Sequence, residues 1–411
     1  MSEEIYDLAI LGGGFGGMTA AIYAGRAHLK TLLIEKGAWG GQINDSIMVE
    51  NYPGLPGLPG RDLTARVKEH AMRFSDLMTT VTSRIESLSV REDGVKVITT
   101  KRKGSFLAQA VIISVGCKPR VLGIPGEVEF SGNGVSYCAT CDGEFYTDKT
   151  VAVLGAGNSA IQNALLLTNY AKEVIVVVMN EPGHLDCNEA EGEEALSNEK
   201  MRFVWNSTIS SINGSDTVTG ITIKNVLTGK STDRAVDGVF SFVGMVPQTE
   251  FLQDSGVQMD KSGYIPVGKD KSTNIPGVYA VGDCTDTLVR QAITAAGDGC
   301  VAEQMAEAYV KESRAVSSIL SAPGAQAIIF YSPYDNEGVS RLQPTEDALA
   351  SAGYHMHVID ISRQRLLYDR LGLTDPMAVA LYEDGNLKRT IALTGSDYLH
   401  KLASSESGAT I

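Results

Sequence analysis

A short apolar strand, a glycine turn and a helix-period stretch occur twice in this chain, and that repetition restricts the fold more than any other feature. The first copy, "YDLAILGGGFGGMTAAIYAGRAHLKTLLIEKG", starts at Tyr6 and ends its second strand on Glu35. Glycines at this spacing between strand and helix form a dinucleotide-binding turn. Gly12 permits the tight turn, Gly14 lets a pyrophosphate approach the helix N-terminus, and Gly17 lets helix and strand pack closely. Glu35 stands about twenty residues on, where an acid accepts hydrogen bonds from an adenosine ribose. The second copy, "KTVAVLGAGNSAIQNALLLTNYAKEVIVVVMN", has Gly155, Gly157 and Ala160 at the same three positions. The expected fold class is α/β with two Rossmann-like dinucleotide-binding domains. A second turn kept for packing alone is the alternative.

A chain of 411 residues buries more than one core and divides into two or three domains. Its apolar runs, such as Val174 to Met179, are too short to span a bilayer, and the N-terminus "MSEEIYDLAI" is acidic where a signal peptide is basic, so a cytoplasmic protein is expected. A net charge of -14 repels nucleic acid and anionic membranes, and "TKRKG" at Thr100 to Gly104 is the one short basic cluster against it. Of six cysteines, Cys117, Cys187, Cys284 and Cys300 stand alone, whereas Cys138 and Cys141 lie together in "GVSYCATCDGEFY". That count is too scattered for a secreted disulfide framework, and a structural zinc site needs a second pair or a Cys/His cluster. The pair reads as redox-active, with two ordinary buried thiols as the alternative.

Further motifs stand in a fixed order: "GGQI" (Gly40 to Ile43), "VENYPG" (Val49 to Gly54), "GIPGE" (Gly123 to Glu127), "CATCDG" (Cys138 to Gly143), "GVYAVGD" (Gly277 to Asp283) and "RQAITAAGDG" (Arg290 to Gly299). From about Ile5 to Val316 the chain thereby resembles the low-molecular-weight thioredoxin reductases. The resemblance implies an FAD domain from residues 1–116 and 246–316, with an NAD(P)H-binding-like domain, 117–245, inserted and opening on the cysteine pair. It implies that Gly40, Gly41, Gln42, Asn51 and Gly116 join the first glycine turn in holding FAD, with Asp283 on the ribityl chain and Arg290, Gln291 and Ala292 along the flavin. By the same resemblance Cys138 and Cys141 form a disulfide that reduced flavin opens, Cys141 facing the flavin and Cys138 attacking thioredoxin or a thioredoxin-like protein. Asp142 is then the general acid/base, with a turn or helix-cap aspartate as the alternative. A homodimer is also implied.

The chain departs from that family at the donor site. NADPH-dependent members carry His-Arg-Arg-x-x-x-Arg after the second strand of the inserted domain, where guanidinium groups grip the 2'-phosphate. Here that stretch is Val178-Met179-Asn180-Glu181-Pro182-Gly183-His184. Asn180 or Glu181 on the ribose hydroxyls would make NADH rather than NADPH the donor. The other routes are a carrier such as ferredoxin, or reverse flow from a dithiol through FAD to oxygen; a redox sensor without turnover is a rival of another class. The retained glycine turn favours a nucleotide, and the overall acidity disfavours an acidic ferredoxin.

Residues 317–325 read as a linker, and 326–411 as a further domain of order β-α-β-α-β-β-α that resembles thioredoxin. "RLQPTEDALASAG" is its first helix and "SDYLHKLASS" its last, and Pro376 is expected in the role of thioredoxin's cis-proline. Where thioredoxin has Cys-x-x-Cys, this chain has Asp335-Asn336-Glu337-Gly338, so the domain cannot exchange thiols; it packs, blocks a docking surface or recruits a substrate. His355 and His357 fall on one side of a strand, too few for a metal site.

Overall fold

The computed structural model describes residues 4–46, 48–395 and Leu399, which form two compact units divided at Glu303/Gln304. The first unit opens with β1 (Ile5–Leu11), α1 (Phe15–Arg26) and β2 (Thr31–Glu35), the elements that the glycine spacing predicts. Helix α2 (Gly60–Met72) and strands β3 (Met78–Thr82), β4 (Ile85–Val90), β5 (Lys96–Thr100) and β6 (Gly104–Ile113) follow. They build a sheet of order β3-β2-β1-β6-β5-β4, parallel as far as β6 and antiparallel beyond it. Leu8, Ala9, Ile10 and Leu11 are fully buried, as a parallel strand covered on both faces requires.

Strand β7 (Cys117–Pro119) leads into an inserted body made of β8 (Val135–Ser136), α3 (Ala139–Asp142), β9 (Thr150–Leu154), α4 (Asn158–Leu167), β10 (Glu173–Val177), α5 (Glu189–Ser197) and β11 (Met201–Val204). An antiparallel meander, β12 (Ser207–Gly214), β13 (Val218–Asn225) and β14 (Ser231–Ala235), precedes β15 (Gly238–Ser241). The body's parallel sheet runs β11-β10-β9-β15-β8. Strand β16 (Met245–Pro247) pairs antiparallel with β7, so the chain enters and leaves the insert through one ribbon. Strand β17 (Val278–Ala280) then completes the first sheet beside β6.

Helix α6 (Ala292–Leu320) runs into the stretch expected as a linker at 317–325, leaving 321–324 as the connection. Helix formers fill its second half, and no breaker stands before Pro323-Gly324, so the helix runs on through Ser317–Leu320. Strand β18 (Ala325–Tyr331) starts after the four residues that follow the helix. Helix α7 (Asn336–Ser351) begins earlier than "RLQPTEDALASAG", at the residue after Asp335, and carries Pro344 inside it. Strand β19 (His355–Asp360), the short helix α8 (Leu366–Arg370), β20 (Met377–Glu383) and β21 (Asn386–Ala392) complete the second unit. Its sheet order is β19-β18-β20-β21, with only β18 and β19 parallel.

Ile328 and Phe330 pack with Val316, Ile319 and Leu367 on one face, Ala327 and Ile329 with Leu342 and Leu349 on the other. The continuous run "AIIF" is thus a central strand buried on both sides. Asp384 and Gly385 turn β20 into β21 at φ 49° and 79°, the primed hairpin geometry that Asp-Gly favours. No cis peptide bond occurs among the described residues, so Pro376 does not take the cis role expected of it. Its carbonyl instead accepts the Ser332 N–H at 2.9 Å, a contact made with the lower-energy trans bond. The expected last helix, "SDYLHKLASS", lies outside the described residues. Among those residues no helix is long and apolar enough to cross a membrane.

Candidate active site

The first glycine turn is built for an approaching ligand. Gly12 has φ +112°, and a Cβ there would meet the Ser114 carbonyl oxygen at 2.2 Å; one at Gly17 would lie 1.9 Å from the Gly12 oxygen. A Cβ on Gly14 would meet nothing within 4 Å, so open space faces the N-terminus of α1 where a pyrophosphate would sit. Glu35 accepts the Gly13 N–H at 2.7 Å and the Gly37 N–H at 2.8 Å, which fixes its carboxylate beside the turn. A cavity of about 240 Å³ opens between Gly12, Glu35, Lys36, Arg84, Lys118 and Gln248. The three cations in this wall were not found from sequence, because they converge from three separate segments. Burial, and then Lys118, lower the Lys36 pKa, a field that favours an anionic ligand.

The other residues expected at FAD are linked to this turn or to one another by the following contacts. Gly40, at φ +105°, donates to the Gly13 oxygen, and Gly41 follows at φ +58°. Gln42 donates to the Cys117 carbonyl at 3.0 Å, and Gly116, at φ +65°, accepts the Gln248 N–H. Asn51 donates to Gln291 at 3.1 Å, which ties the "VENYPG" loop to the start of α6 at Ala292. Helix α6 comes this close because Gly299 abuts Gly16, where a Cβ would lie 2.2 Å from the main-chain oxygen. Burial raises the Asp283 pKa against the opposing pull of Arg290. Burial and then Asp283 push the Cys117 thiol up to about 12, so Cys117 is an unreactive neighbour. Arg290 stacks on Tyr264 at 4.5 Å, and its Nε is buried without a partner. An open cradle at Gly14 and an orphaned donor at Arg290 fit a bound flavin dinucleotide.

Cys138 and Cys141 form a disulfide with Cα atoms 5.3 Å apart at the N-terminus of α3. Cys141, with Thr140 and Phe145, lines a cleft whose other wall is Asn51, Gln291 and Ala292. The Asp142 side chain caps no helix; its Oδ2 accepts the Ser136 hydroxyl at 2.6 Å, while Oδ1 is buried without a partner. Burial raises the Asp142 pKa and the Ser136 hydrogen bond opposes the rise, which moves the carboxyl toward the range useful for proton transfer.

At the second glycine turn Gly155 has φ +135°, and its Cβ would meet the Phe242 oxygen at 2.7 Å. Ala160 is fully buried in α4. Asp186 bridges to Gly157, and its carboxylate accepts from Asn180 at 2.9 Å, with His184 at 3.6 Å. Glu181 is exposed in the turn before it. From Val174 to Glu199 there is no lysine or arginine, while Glu181, Asp186, Glu189 and Glu191 crowd the loop and the start of α5. Such a surface suits the neutral hydroxyls of a ribose and repels a 2'-phosphate. Elsewhere, the rings of His355 and His357 lie 5.1 Å apart, and His357 pairs with Gln326 at 3.0 Å. No group of three or more metal-ligating side chains forms among the described residues.

The family model described as pyridine nucleotide-disulphide oxidoreductase matches residues 6–299. A thioredoxin reductase of Listeria monocytogenes is 40% identical over 315 residues, 75% of this chain and 95% of that protein. A bifunctional thioredoxin reductase/thioredoxin of Mycobacterium leprae is 40% identical over 312 residues, 75% of this chain and 67% of that protein. Among solved structures, thioredoxin reductase from Streptococcus pyogenes superposes with TM-score 0.70 at 39% identity, covering 75% of this chain and 99% of its own.

Proposed function

We propose a function on the premise that this chain belongs to the pyridine nucleotide-disulphide oxidoreductases, and among them to the thioredoxin reductases: it is an FAD-dependent reductase of a thioredoxin-type protein disulfide, with NADH as donor. The observation that carries this reading is the cleft that Cys141 shares with Asn51, Gln291 and Ala292. FAD bound in the cradle would supply the two-electron relay between a nicotinamide and the disulfide. Once the pair is reduced, Asp142 takes the Cys138 proton, and the thiolate attacks a sulfur of the partner disulfide. Cys141 then attacks the Cys138 sulfur, reforming the internal disulfide and releasing the partner as a dithiol, one of its sulfurs reprotonated from Asp142.

The preference for NADH rests on Met179, Asn180 and His184 standing where NADPH-dependent relatives keep arginines, with the carboxylates of Glu181 and Asp186 beside them. Anaerobic mixing with each nucleotide, followed by flavin bleaching, tests it. NADH is expected to reach half-maximal bleaching at a concentration at least about tenfold below NADPH, the difference that one unpaired charge contact makes. Tighter NADPH, or no bleaching by either, contradicts the donor assignment. The second unit supports a thioredoxin-like reading through its order β-α-β-α-β-β and its doubly covered central strand. It has no cysteine, and Asp335-Asn336-Glu337-Gly338 lie at the start of α7. Its role is therefore binding, with exchange confined to Cys138 and Cys141.

A further inference from the structure

Ser136 is buried at the end of β8, two residues before the redox pair. Its Oγ donates to Asp142 Oδ2 at 2.6 Å and accepts the Cys138 N–H at 3.1 Å. The Asp142 N–H returns to the Cys138 carbonyl at 3.1 Å. Serine, carboxylate and the Cys138 main chain thus close a ring of three hydrogen bonds, with the Cys138 carbonyl a longer alternative acceptor for the serine hydroxyl at 3.4 Å, and the second carboxylate oxygen, Asp142 Oδ1, is buried without a partner. A buried carboxylate oxygen left open costs free energy unless the site uses it.

We propose that Ser136 is a positioning residue for disulfide exchange: its hydroxyl locks Asp142 to the Cys138 backbone, holding one carboxylate oxygen and leaving the other to carry the proton of the Cys138 thiol. This rests on the reading of Cys138 and Cys141 as the exchanging pair and of Asp142 as their proton carrier. The step balances. Asp142 accepts the Cys138 proton, Cys138 sulfur bonds to one sulfur of the substrate disulfide as that bond breaks, and Cys141 then displaces it. Two electrons pass to the substrate, and its two departing sulfurs take the proton held by Asp142 and the proton that Cys141 gives up.

Titratable groups also surround Asp142. Tyr146, from the turn after α3, is pushed up to about 12 by burial, then by Asp142 and Asp237. Lys149 Nζ lies 5.5 Å from the centre of the Tyr146 ring, and Tyr170, beyond α4, packs on the adjacent Gly143. Removing the Ser136 hydroxyl takes away the hydrogen bond that stabilises the Asp142 carboxylate. Asp142 should then need a higher pH to act as a base.

The test uses the full-length flavin-loaded protein, reduced stoichiometrically with dithionite without oxygen and mixed with dithiobis(nitrobenzoate) across a pH series. This bypasses the nucleotide donor. In Ser136→Ala the acid limb of the rate profile is expected to move up by about one pH unit, the effect of one hydrogen bond to a carboxylate. Ser136→Thr, which keeps the hydroxyl, should restore the limb. In an Asp142→Asn background, Ser136→Ala should cause no further shift. An Ala variant that is slower at every pH with its limb in place, or a Thr variant that behaves as Ala does, overturns the positioning role. If Asp142→Asn itself changes neither rate nor limb, the proton-carrier reading falls, and Ser136 with it. If every variant and the parent release no thiolate, the redox assignment of the pair is what fails.

Discussion

Cys141→Ser is expected to abolish reduction of protein disulfides while leaving a yellow protein whose flavin is still bleached by nucleotide. Cys141, and not Cys138, lines the cleft with Asn51, Gln291 and Ala292, and in the function proposed above electrons enter the pair through it. Without it the Cys138 sulfur has no internal disulfide to receive them and no thiol to resolve a mixed disulfide. The loss should be on the order of a thousandfold or more, because groups that act as a unit fail together. Cys138→Ser should be equally inactive, but Cys138 in the Cys141→Ser protein should still form a stable adduct with a substrate disulfide. Substantial turnover in either variant, measured as NADH oxidation with a thioredoxin present, would place the exchanging thiols elsewhere.

The second large effect lies at the first glycine turn, where two glycines should fail differently. At Gly17 an added side chain would drive into the Gly12 carbonyl 1.9 Å away, main chain that cannot yield, so Gly17→Val should cost several kcal/mol, about 3 or more, and give little folded protein. Gly14 has φ -74° and nothing within 4 Å of a new Cβ. Gly14→Ala should fold with an unchanged apoprotein Tm yet bind FAD about tenfold to a hundredfold more weakly, because the methyl fills the space a pyrophosphate needs. Calorimetry of the apoprotein beside a flavin titration separates the two. Unchanged flavin affinity in Gly14→Ala would mean that the dinucleotide does not cross this turn.

The parts legible in the sequence are those written within one short window. Gly12, Gly14, Gly17 and Glu35 sit on a single strand–helix–strand unit, so spacing alone places them together, and Cys138 and Cys141 are close enough to pair without help from the fold. What was hidden depends on contacts between windows. Lys36, Arg84 and Lys118 reach one cavity from the ends of β2 and β3 and from β7, and no local pattern links them. Ser136 meets Asp142 only because α3 folds back on the end of β8. The boundary at 317–325 was misread because small residues in "SSILSAPG" suggest a loop, whereas a helix already under way needs a breaker to stop, and the first is Pro323. Pro376 shows the limit of resemblance: the cis peptide bond that the segment led one to expect does not occur among the described residues.

The central claim is that one flavin and one redox disulfide exchange electrons within this chain. Anaerobic titration of the FAD-loaded protein with dithionite, followed by flavin absorbance, tests it most directly. The account predicts about four electron equivalents for full reduction, two for the flavin and two for the Cys138/Cys141 disulfide, falling to about two in Cys141→Ser. Full bleaching at about two equivalents in the unmodified protein would show that the disulfide is not in redox contact with the flavin, and would contradict the account.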